Sequence, residues 1–427
     1  MRAFRDTENG PPLQYAQLQF FEFFVKSYDI SIEARRTVGC CAAEGNYAAA
    51  EKNKKVVRKH KCATINSPAV FFCDVSRVGF QFHDFNIGTP TQKLSAQFVF
   101  SEPDVVVATR GCMSLHNKCP QYCNHPTFCM LYCNPTCCSS TANIVKQCNW
   151  RPDGAYDYNS TSRDVQRRYW QAVFGDSAGV YAKEKIDMEM INGRLVLEDY
   201  TIALNALMSL NSFVEQERSF HRIGLRRRTD GSSFVMDLYK NGLIASPMLS
   251  ICRSSAIRGR SRMNFGALCT YCNKEEYHFV PLVQGSLEFM MDVRSAVVFD
   301  YKVHRKHRMT FTESPILYVP HDFLTYLLEE GILRYERSFV YRVEKEFPYK
   351  FRWNLSDVYS IDLDTSTVIS VLKYESVIYI ETLQPNPDDL RWILSNSLFY
   401  EYSVALDYEE NRIGFAKMKT YGQACEL

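Results

Sequence analysis

Long apolar runs and an excess of one charge are both missing from this sequence. The most apolar stretch, residues 18–25, is short and is interrupted by Glu22, so no transmembrane segment is expected. The 50 Lys and Arg residues against 48 Asp and Glu residues leave a net charge of +2. Because so small a charge creates no global field that attracts phosphates, we expect no nucleic-acid partner.

Low-complexity tracts and a secretory signal are missing as well. With 46% apolar and 14% aromatic residues, the composition is that of a globular protein and not of a disordered one. Residues 1–28 lack a clean apolar core and a small-residue cleavage site. Residues 1–77 combine an aromatic run, a small-residue run and a basic cluster, which we interpret as a leader or pro-region.

Cysteine, by contrast, is abundant. Eight of the 16 cysteines fall in one short stretch, and an even, local cluster of this kind favours disulfide bonds. Glycosylation motifs at Asn159 and Asn354 fit the same oxidising compartment. We therefore predict a glycoprotein of the secretory pathway, in the endoplasmic reticulum or outside the cell. The candidate disulfide cysteines are Cys112, Cys119, Cys123, Cys129, Cys133, Cys137, Cys138 and Cys148.

The texture of the chain from about Val78 onward predicts a mainly β protein. Short segments rich in Val, Ile, Phe and Tyr alternate with Gly, Pro, Asn and Asp. One helix is predicted over residues 323–332, with Asp322 capping its first turn. The best strand candidates are residues 105–107, 277–280, 296–299 and 377–380.

An internal repeat links two distant segments. Residues 99–103 (VFSEP) recur in kind as residues 310–314 (TFTES), 211 residues later. Each copy follows a strand-like stretch and precedes an apolar run. Because duplicated halves would produce this pattern, we expect a two-lobed β protein.

Three motifs, taken in order, resemble the pepsin-like aspartic peptidases (peptidase family A1) over about residues 78–427. The first combines IGTPTQ at residues 87–92 with FVFSEPDVVV at residues 98–107, similar to the family's IGTPPQ and DTGSSDLWV. The second, MTFTESP at residues 309–315, is similar to the family's second DTGTS. The third combines WIL at residues 392–394 with NRIGFA at residues 411–416, similar to WILGD and NRIGFA.

The resemblance implies a bilobal, mainly β fold with pseudo-twofold related lobes and a cleft between them. The N-terminal lobe is expected at residues 78–240 and the C-terminal lobe at residues 241–427. A Cys-rich insertion at residues 112–148 is similar to that of the nepenthesin-type members, which include the plasmepsins. The resemblance to that subgroup implies that the eight cysteines of the insertion form disulfides.

Both catalytic aspartates of the family are replaced. Val99 and Thr310 occupy their positions, and neither side chain can serve as the ionised base of a shared-proton carboxylate pair. Phe100 and Phe311 stand where the family has hydroxyls that join the two loops. By pseudo-twofold symmetry we expect the two rings to meet in an apolar contact of about 1 kcal/mol beyond burial.

A flap is suggested by residues 174–179 (FGDSAG), which resemble the family's YGDGS hairpin. Phe174 would replace the tyrosine whose hydroxyl contacts the substrate, and Asp176 would lie in the same turn. We count Phe174, Asp176, Phe100 and Phe311 as candidate peptide-binding residues. An ordinary hairpin turn explains residues 174–179 about as well.

Two glutamates offer an alternative chemistry. Glu102 and Glu313 each lie three residues after a replaced aspartate, and symmetry would aim both toward the vacant centre. Two nearby carboxylates in a partly buried cleft can share a proton and form a relocated catalytic pair. The alternative is that each glutamate is solvated or paired with a neighbouring arginine.

Other clusters favour structural roles. Cys269 and Cys272 have metal-ligand spacing and two histidines lie in the cysteine-rich stretch, but disulfides are the better explanation, so no metal and no cofactor are expected. The basic runs at residues 226–228, 253–262 and 302–308 are interpreted as solvated loops.

The function that the sequence favours is that of a pseudo-peptidase, which binds a peptide or protein in the interlobe cleft without cutting it. One alternative is an aspartic-type endopeptidase, a hydrolase acting through Glu102 and Glu313. A second alternative is a structural or partner-binding protein whose cleft is closed by Phe100, Phe311 and Phe174.

Overall fold

A computed structural model of the chain describes fourteen stretches of residues. They are 71–76, 84–109, 155–157, 160–172, 177–208, 221–253, 260–271, 273–298, 301–303, 307–337, 339–345, 350–372, 375–383 and 390–419.

Strands dominate the described residues, as the sequence predicts. Their alternation of inward and outward side chains is clearest at residues 307–311, where every second residue is buried. In chain order the strands are β1 Phe71–Ser76, β2 Phe85–Ile87, β3 Gln92–Leu94, β4 Ala96–Val99, β5 Val105–Ala108, β6 Asp164–Gln171, β7 Ser177–Met190, β8 Gly193–Met208, β9 His221–Gly224, β10 Met248–Arg253, β11 Arg260–Phe265, β12 His278–Pro281, β13 Met291–Val293, β14 Ser295–Val298, β15 Tyr301–Val303, β16 His307–Phe311, β17 Leu317–Val319, β18 Leu333–Arg337, β19 Val340–Val343, β20 Lys350–Asn354, β21 Ser360–Asp364, β22 Ile369–Leu372, β23 Glu375–Thr382, β24 Arg391–Leu394, β25 Tyr402–Asp407 and β26 Arg412–Lys417. The predicted strands correspond to β5, β12, β14 and β23.

Four short helices interrupt the strands in the described stretches. They are α1 Phe234–Lys240, α2 His321–Glu329, α3 Thr365–Val368 and α4 Leu398–Glu401. The predicted helix is present as α2, but it begins at His321, so Asp322 lies inside the first turn. Asp322 therefore does not act as the N-cap, and its carboxylate accepts hydrogen bonds from the Phe323 amide and the Tyr301 hydroxyl. In the described part of the chain, no helix is long and apolar enough to span a membrane.

The strands form four sheets. One eight-stranded sheet contains β2 to β9, and a second contains β13, β16 to β19 and β22 to β24. A four-stranded sheet joins β14, β15, β20 and β21. The six-stranded sheet has the order β1-β11-β10-β25-β26-β12, so it joins the first described strand to five strands from the second half of the chain.

The two eight-stranded sheets share a duplicated strand pattern. In the first, β4 pairs in parallel with β9, β9 is antiparallel to β5, and β5 is parallel to β8. In the second, β16, β24, β17 and β23 repeat these three pairings in the same order. Val99 lies opposite Gly224 just as Thr310 lies opposite Ile393. The repeat expected from the sequence is therefore present in the strand pairing.

The edge of the six-stranded sheet includes part of the predicted leader. Residues 71–76 form β1 and pair with β11 along their whole length, so this part of residues 1–77 belongs to the fold. The neighbouring strand β10 carries Cys252, which forms a disulfide with Cys269 across a Cα separation of 6.2 Å. Cys269, one of the two cysteines with metal-ligand spacing, is thus engaged in a disulfide.

Candidate functional site

Two loops meet where the duplicated strands end. The first loop, residues 99–104, follows β4, and the second loop, residues 310–315, begins at the end of β16. The Leu225 amide donates to the Val99 carbonyl at 2.9 Å, and the Thr312 amide donates to the Leu394 carbonyl at the same distance. The first loop is therefore hydrogen-bonded to the segment that continues β9, and the second loop to β24; these are the parallel neighbours of β4 and β16.

A cluster of four phenylalanines joins the loops. The ring centroids of Phe100 and Phe311 are 5.0 Å apart at an interplanar angle of 70°, and both side chains are buried. Phe399 stacks on Phe100, and Phe289 stacks on Phe311. The expected contact between the first two rings is thus confirmed. We call Phe100, Phe289, Phe311 and Phe399 the phenylalanine cluster.

The positions that the resemblance aligns with the family's aspartates carry no charge. Val99 is buried, and Thr310, the equivalent residue in the second copy of the repeat, is half-buried. Two further loop residues, Ser101 and Thr312, are also partly buried, and the Thr312 hydroxyl accepts a hydrogen bond from the Ser314 amide at 3.3 Å. None of these four side chains can act as a general base near neutral pH.

Glu102 is held in an ion pair. Its side chain is almost completely buried, and its Oε1 lies 3.4 Å from Nη1 of Arg222 on β9. The Glu102 carbonyl also accepts a hydrogen bond from the Arg226 amide at 3.0 Å. A buried carboxylate needs such a cation because desolvation otherwise penalises its charge. This pairing is the alternative that we set against a relocated catalytic pair.

Glu313 makes a different contact. Its Oε2 accepts a hydrogen bond at 3.3 Å from the backbone amide of Phe100, which lies in the opposite loop. Burial raises the pKa of the Glu313 carboxyl, while the Phe100 amide and the charge of Arg222 act in the opposite direction. The Glu313 side chain thus bridges the two loops.

A polar network that the sequence analysis missed surrounds Asp104 at the end of the first loop. The Asp104 carboxylate accepts hydrogen bonds from Trp170 Nε1 at 3.2 Å and from the Tyr181 hydroxyl at 3.0 Å. Arg228 donates to it at 3.1 Å and to Asp237 at 2.7 Å. Burial, followed by the charge of Asp104, raises the pKa of Tyr181 to about 12.

This network corrects the interpretation of residues 226–228 as a solvated run. All three arginines are partly buried, and Arg227 donates to the Tyr408 carbonyl as well as lying over the Tyr408 ring. Within the run at residues 302–308, Lys302 and Arg308 are exposed but His307 is buried. The arginines at residues 226–228 and His307 are buried because they contact residues that are distant in sequence. Such contacts cannot be read from the spacing of the basic residues.

Several predicted site residues lie outside the described residues. They are Phe174, Asp176 and the eight cysteines of residues 112–148. The strands on either side of residue 174 do pair as a hairpin, with Gln171 opposite Ala178. At the second glycosylation motif, Asn354 Nδ2 donates to the Ser295 hydroxyl at 2.8 Å.

No group of three or more His, Cys, Asp or Glu side chains in the described stretches is arranged to hold a metal ion. Compared with models of known protein families and with curated proteins, the chain matches none of them.

Proposed function

We propose that this chain is a non-catalytic relative of the pepsin-like aspartic peptidases, which binds an extended peptide or protein segment between two related lobes. The observation that carries the proposal is the meeting of two duplicated loops that present Val99 and Thr310 where the family has aspartates. The loops keep the family's order in the chain and lack its reactive groups.

The strand pairing supports the bilobal part of the proposal. A parallel pair followed by an antiparallel and a second parallel pair occurs once in each eight-stranded sheet. The six-stranded sheet joins β1, which precedes the first copy of the repeat, to strands that lie between the two copies and after the second. The repeated pairing in the two eight-stranded sheets is expected when a chain contains two related lobes.

The surroundings of the two glutamates support the non-catalytic part. Arg222 offsets the charge of Glu102, which makes that carboxylate a poor base for activating water. Glu313 accepts a hydrogen bond from the Phe100 amide, so its carboxylate is engaged in joining the two loops. Binding of an extended peptide needs neither group, because backbone hydrogen bonds to exposed strands supply the affinity.

One observation favours an endopeptidase as a second candidate. Arg222 stabilises the ionised form of Glu102, whereas burial raises the pKa of Glu313 and favours its neutral form. Carboxyl groups with opposite protonation states are what an acid–base pair requires. The distinction between the two candidates is therefore chemical and can be measured directly.

The deciding experiment exposes the purified full chain to a diverse peptide library from about pH 3 to about pH 7. Cleavage is followed by mass spectrometry and retention of intact peptides by pull-down. A Glu102→Gln/Glu313→Gln double variant is the matched control.

Retention of intact peptides without cleavage is the expected result. Cleavage by the parent chain that is lost in the double variant would establish the endopeptidase. Neither cleavage nor retention would leave a structural protein whose loops are closed by the phenylalanine cluster.

We also infer a secretory compartment and a disulfide-rich insertion of the nepenthesin type at residues 112–148. The Cys252–Cys269 disulfide and the even number of clustered cysteines support this inference. Peptide mapping of the chain, isolated with its thiols alkylated, is expected to recover the eight cysteines unlabelled. Eight alkylated cysteines would contradict it.

A further inference from the structure

His307 begins the row of inward side chains that leads to the second loop. In β16, residues 307, 309 and 311 are buried and point to one face, and Phe311 belongs to the phenylalanine cluster. His307 is also the only buried histidine of the second eight-stranded sheet among the described residues. His307 and Phe311 therefore lie on the same buried face of β16.

One hydrogen bond fixes the protonation state of the His307 ring. Trp392 Nε1 donates to His307 Nδ1 at 2.8 Å, and both side chains are buried. An indole nitrogen can only donate, so Nδ1 must be unprotonated and the proton of the neutral ring lies on Nε2. His307 Nε2 is buried without a hydrogen-bond partner.

A second proton on this ring would be doubly unfavourable. It would place an N–H at Nδ1 against the N–H of Trp392, which removes the hydrogen bond. It would also bury a positive charge, and burial lowers the pKa of His307 below the ordinary value of 6.5, against a smaller opposing effect of the Asp322 charge.

In the described part of the chain, Asp322 of α2 is the charged group that acts on the His307 ring. Its carboxylate is held by the Tyr301 hydroxyl of β15. Asp292 of β13, Arg308 of β16 and Arg391 of β24 occupy the next row of the sheet. Because side chains alternate between faces, these three project from the opposite face to His307.

Trp392 connects the ring to the second loop. It lies opposite Met309 in the parallel pair of β16 and β24, two residues before Leu394, whose carbonyl accepts the Thr312 amide. Loss of the Trp392–His307 hydrogen bond therefore weakens the strand pair that anchors the second loop.

We propose that His307 is an acid-sensitive latch, whose protonation breaks its hydrogen bond with Trp392 and loosens the second loop against the first. The latch operates whether or not the chain binds or cuts peptides. Its effect has a definite sign: a histidine with a lowered pKa stabilises the fold above pH 6.5, and that contribution is lost as the pH falls below this value.

The test compares hydrogen exchange of the second loop in the full chain at about pH 7.5 and about pH 5, corrected for the intrinsic effect of pH on exchange. The variant is His307→Gln, because the glutamine carbonyl can still accept from Trp392 and does not titrate. His278→Gln is the matched control, since His278 is only partly buried and stacks on Tyr359.

We expect protection of the Thr312 amide to fall at least about tenfold between the two pH values in the parent and in His278→Gln, and to stay constant in His307→Gln. Equal loss of protection in all three proteins would overturn the proposal. Should His307→Gln fail to fold, nitrogen-15 spectra of the parent decide: a ring that titrates at or above pH 6.5 would equally refute the latch.

Discussion

The two loops have the same backbone pattern but use their glutamates differently. Glu102 is buried and paired with Arg222, whereas Glu313 is partly exposed and accepts the amide of Phe100 in the opposite loop. Arg391 occupies the position in β24 that Arg222 occupies in β9, yet it is exposed. Duplication has thus repeated the strand pairing without repeating the electrostatic environment.

The difference shows how one pseudo-symmetric pair of loops is held by asymmetric contacts. The first loop contributes a backbone donor and an internally neutralised carboxylate, while the second contributes the bridging carboxylate. Asp104, which organises Trp170 and Arg228 in the first half, corresponds to Pro315 in the sequence repeat. Only the phenylalanine contact is shared equally by both loops.

The shared contact should dominate stability. Replacing Phe100 with alanine removes a buried ring from the phenylalanine cluster, and we expect the free energy of unfolding to fall by about 3–5 kcal/mol. Urea denaturation measures the change. Phe100→Leu, which keeps most of the apolar volume, should cost clearly less. Equal losses in the two variants would mean that the ring stacking contributes nothing beyond burial.

The arginine pair tests the electrostatic asymmetry next. Arg222→Met leaves the buried Glu102 carboxylate without its cation, and we expect a loss of about 3 kcal/mol in the free energy of unfolding at neutral pH. Arg391→Met is the matched control and should change stability by less than about 0.5 kcal/mol, because an exposed charge contributes little. Similar losses of unfolding free energy in the two variants would contradict the proposed electrostatic difference between the two loops.

The Asp104 network should have an intermediate effect. Asp104→Asn removes the charge that Arg228 faces and one acceptor of the Trp170 and Tyr181 donors, so a loss of about 1–3 kcal/mol is expected. Thermal denaturation of Asp357→Asn provides the comparison, because Asp357 is exposed in its pair with Arg294. A change as small as that of the control would show that the network is not stabilising.

The smallest effect is expected at Glu313. Its raised pKa means that its contribution to stability is present below the ordinary value of 4.5 and is lost as the pH rises through the folded-state pKa. Glu313→Gln keeps an acceptor for the Phe100 amide and should therefore be more stable than the parent at neutral pH, by less than about 1 kcal/mol.

This difference should vanish near pH 4, where the carboxyl of the parent is protonated in both states. Glu329→Gln, at an exposed position of α2, should show no such dependence on pH. Guanidinium denaturation across this pH range gives both curves. A parent that is more stable than Glu313→Gln at neutral pH would contradict the sign.

Local patterns predicted the elements and one contact of the site. The alternation of apolar residues identified β5, β12, β14 and β23, and the repeat at residues 99 and 310 anticipated both the duplicated pairing and the contact of Phe100 with Phe311. The helix begins two residues before its predicted start, because Pro320 is the N-cap and no side chain caps the first turn, and it ends three residues before its predicted end.

Partners contributed by distant segments escaped prediction. Arg222 lies 120 residues from Glu102, and no local signal in residues 221–224 marks it as the cation of the first loop. Phe399 and Phe289 complete the phenylalanine cluster from two other parts of the chain. His307 was assigned to a solvated basic run, although it is buried against Trp392.

The sequence by itself determined the β character of the chain and the internal repeat at residues 99 and 310, because each is written in the identity and spacing of neighbouring residues. Only the tertiary structure decided which glutamate is neutralised, which one bridges the loops and that Nδ1 of His307 accepts the indole N–H of Trp392. These properties depend on burial and on charges that approach from separate strands, and the distances between such groups are set by packing of the whole fold.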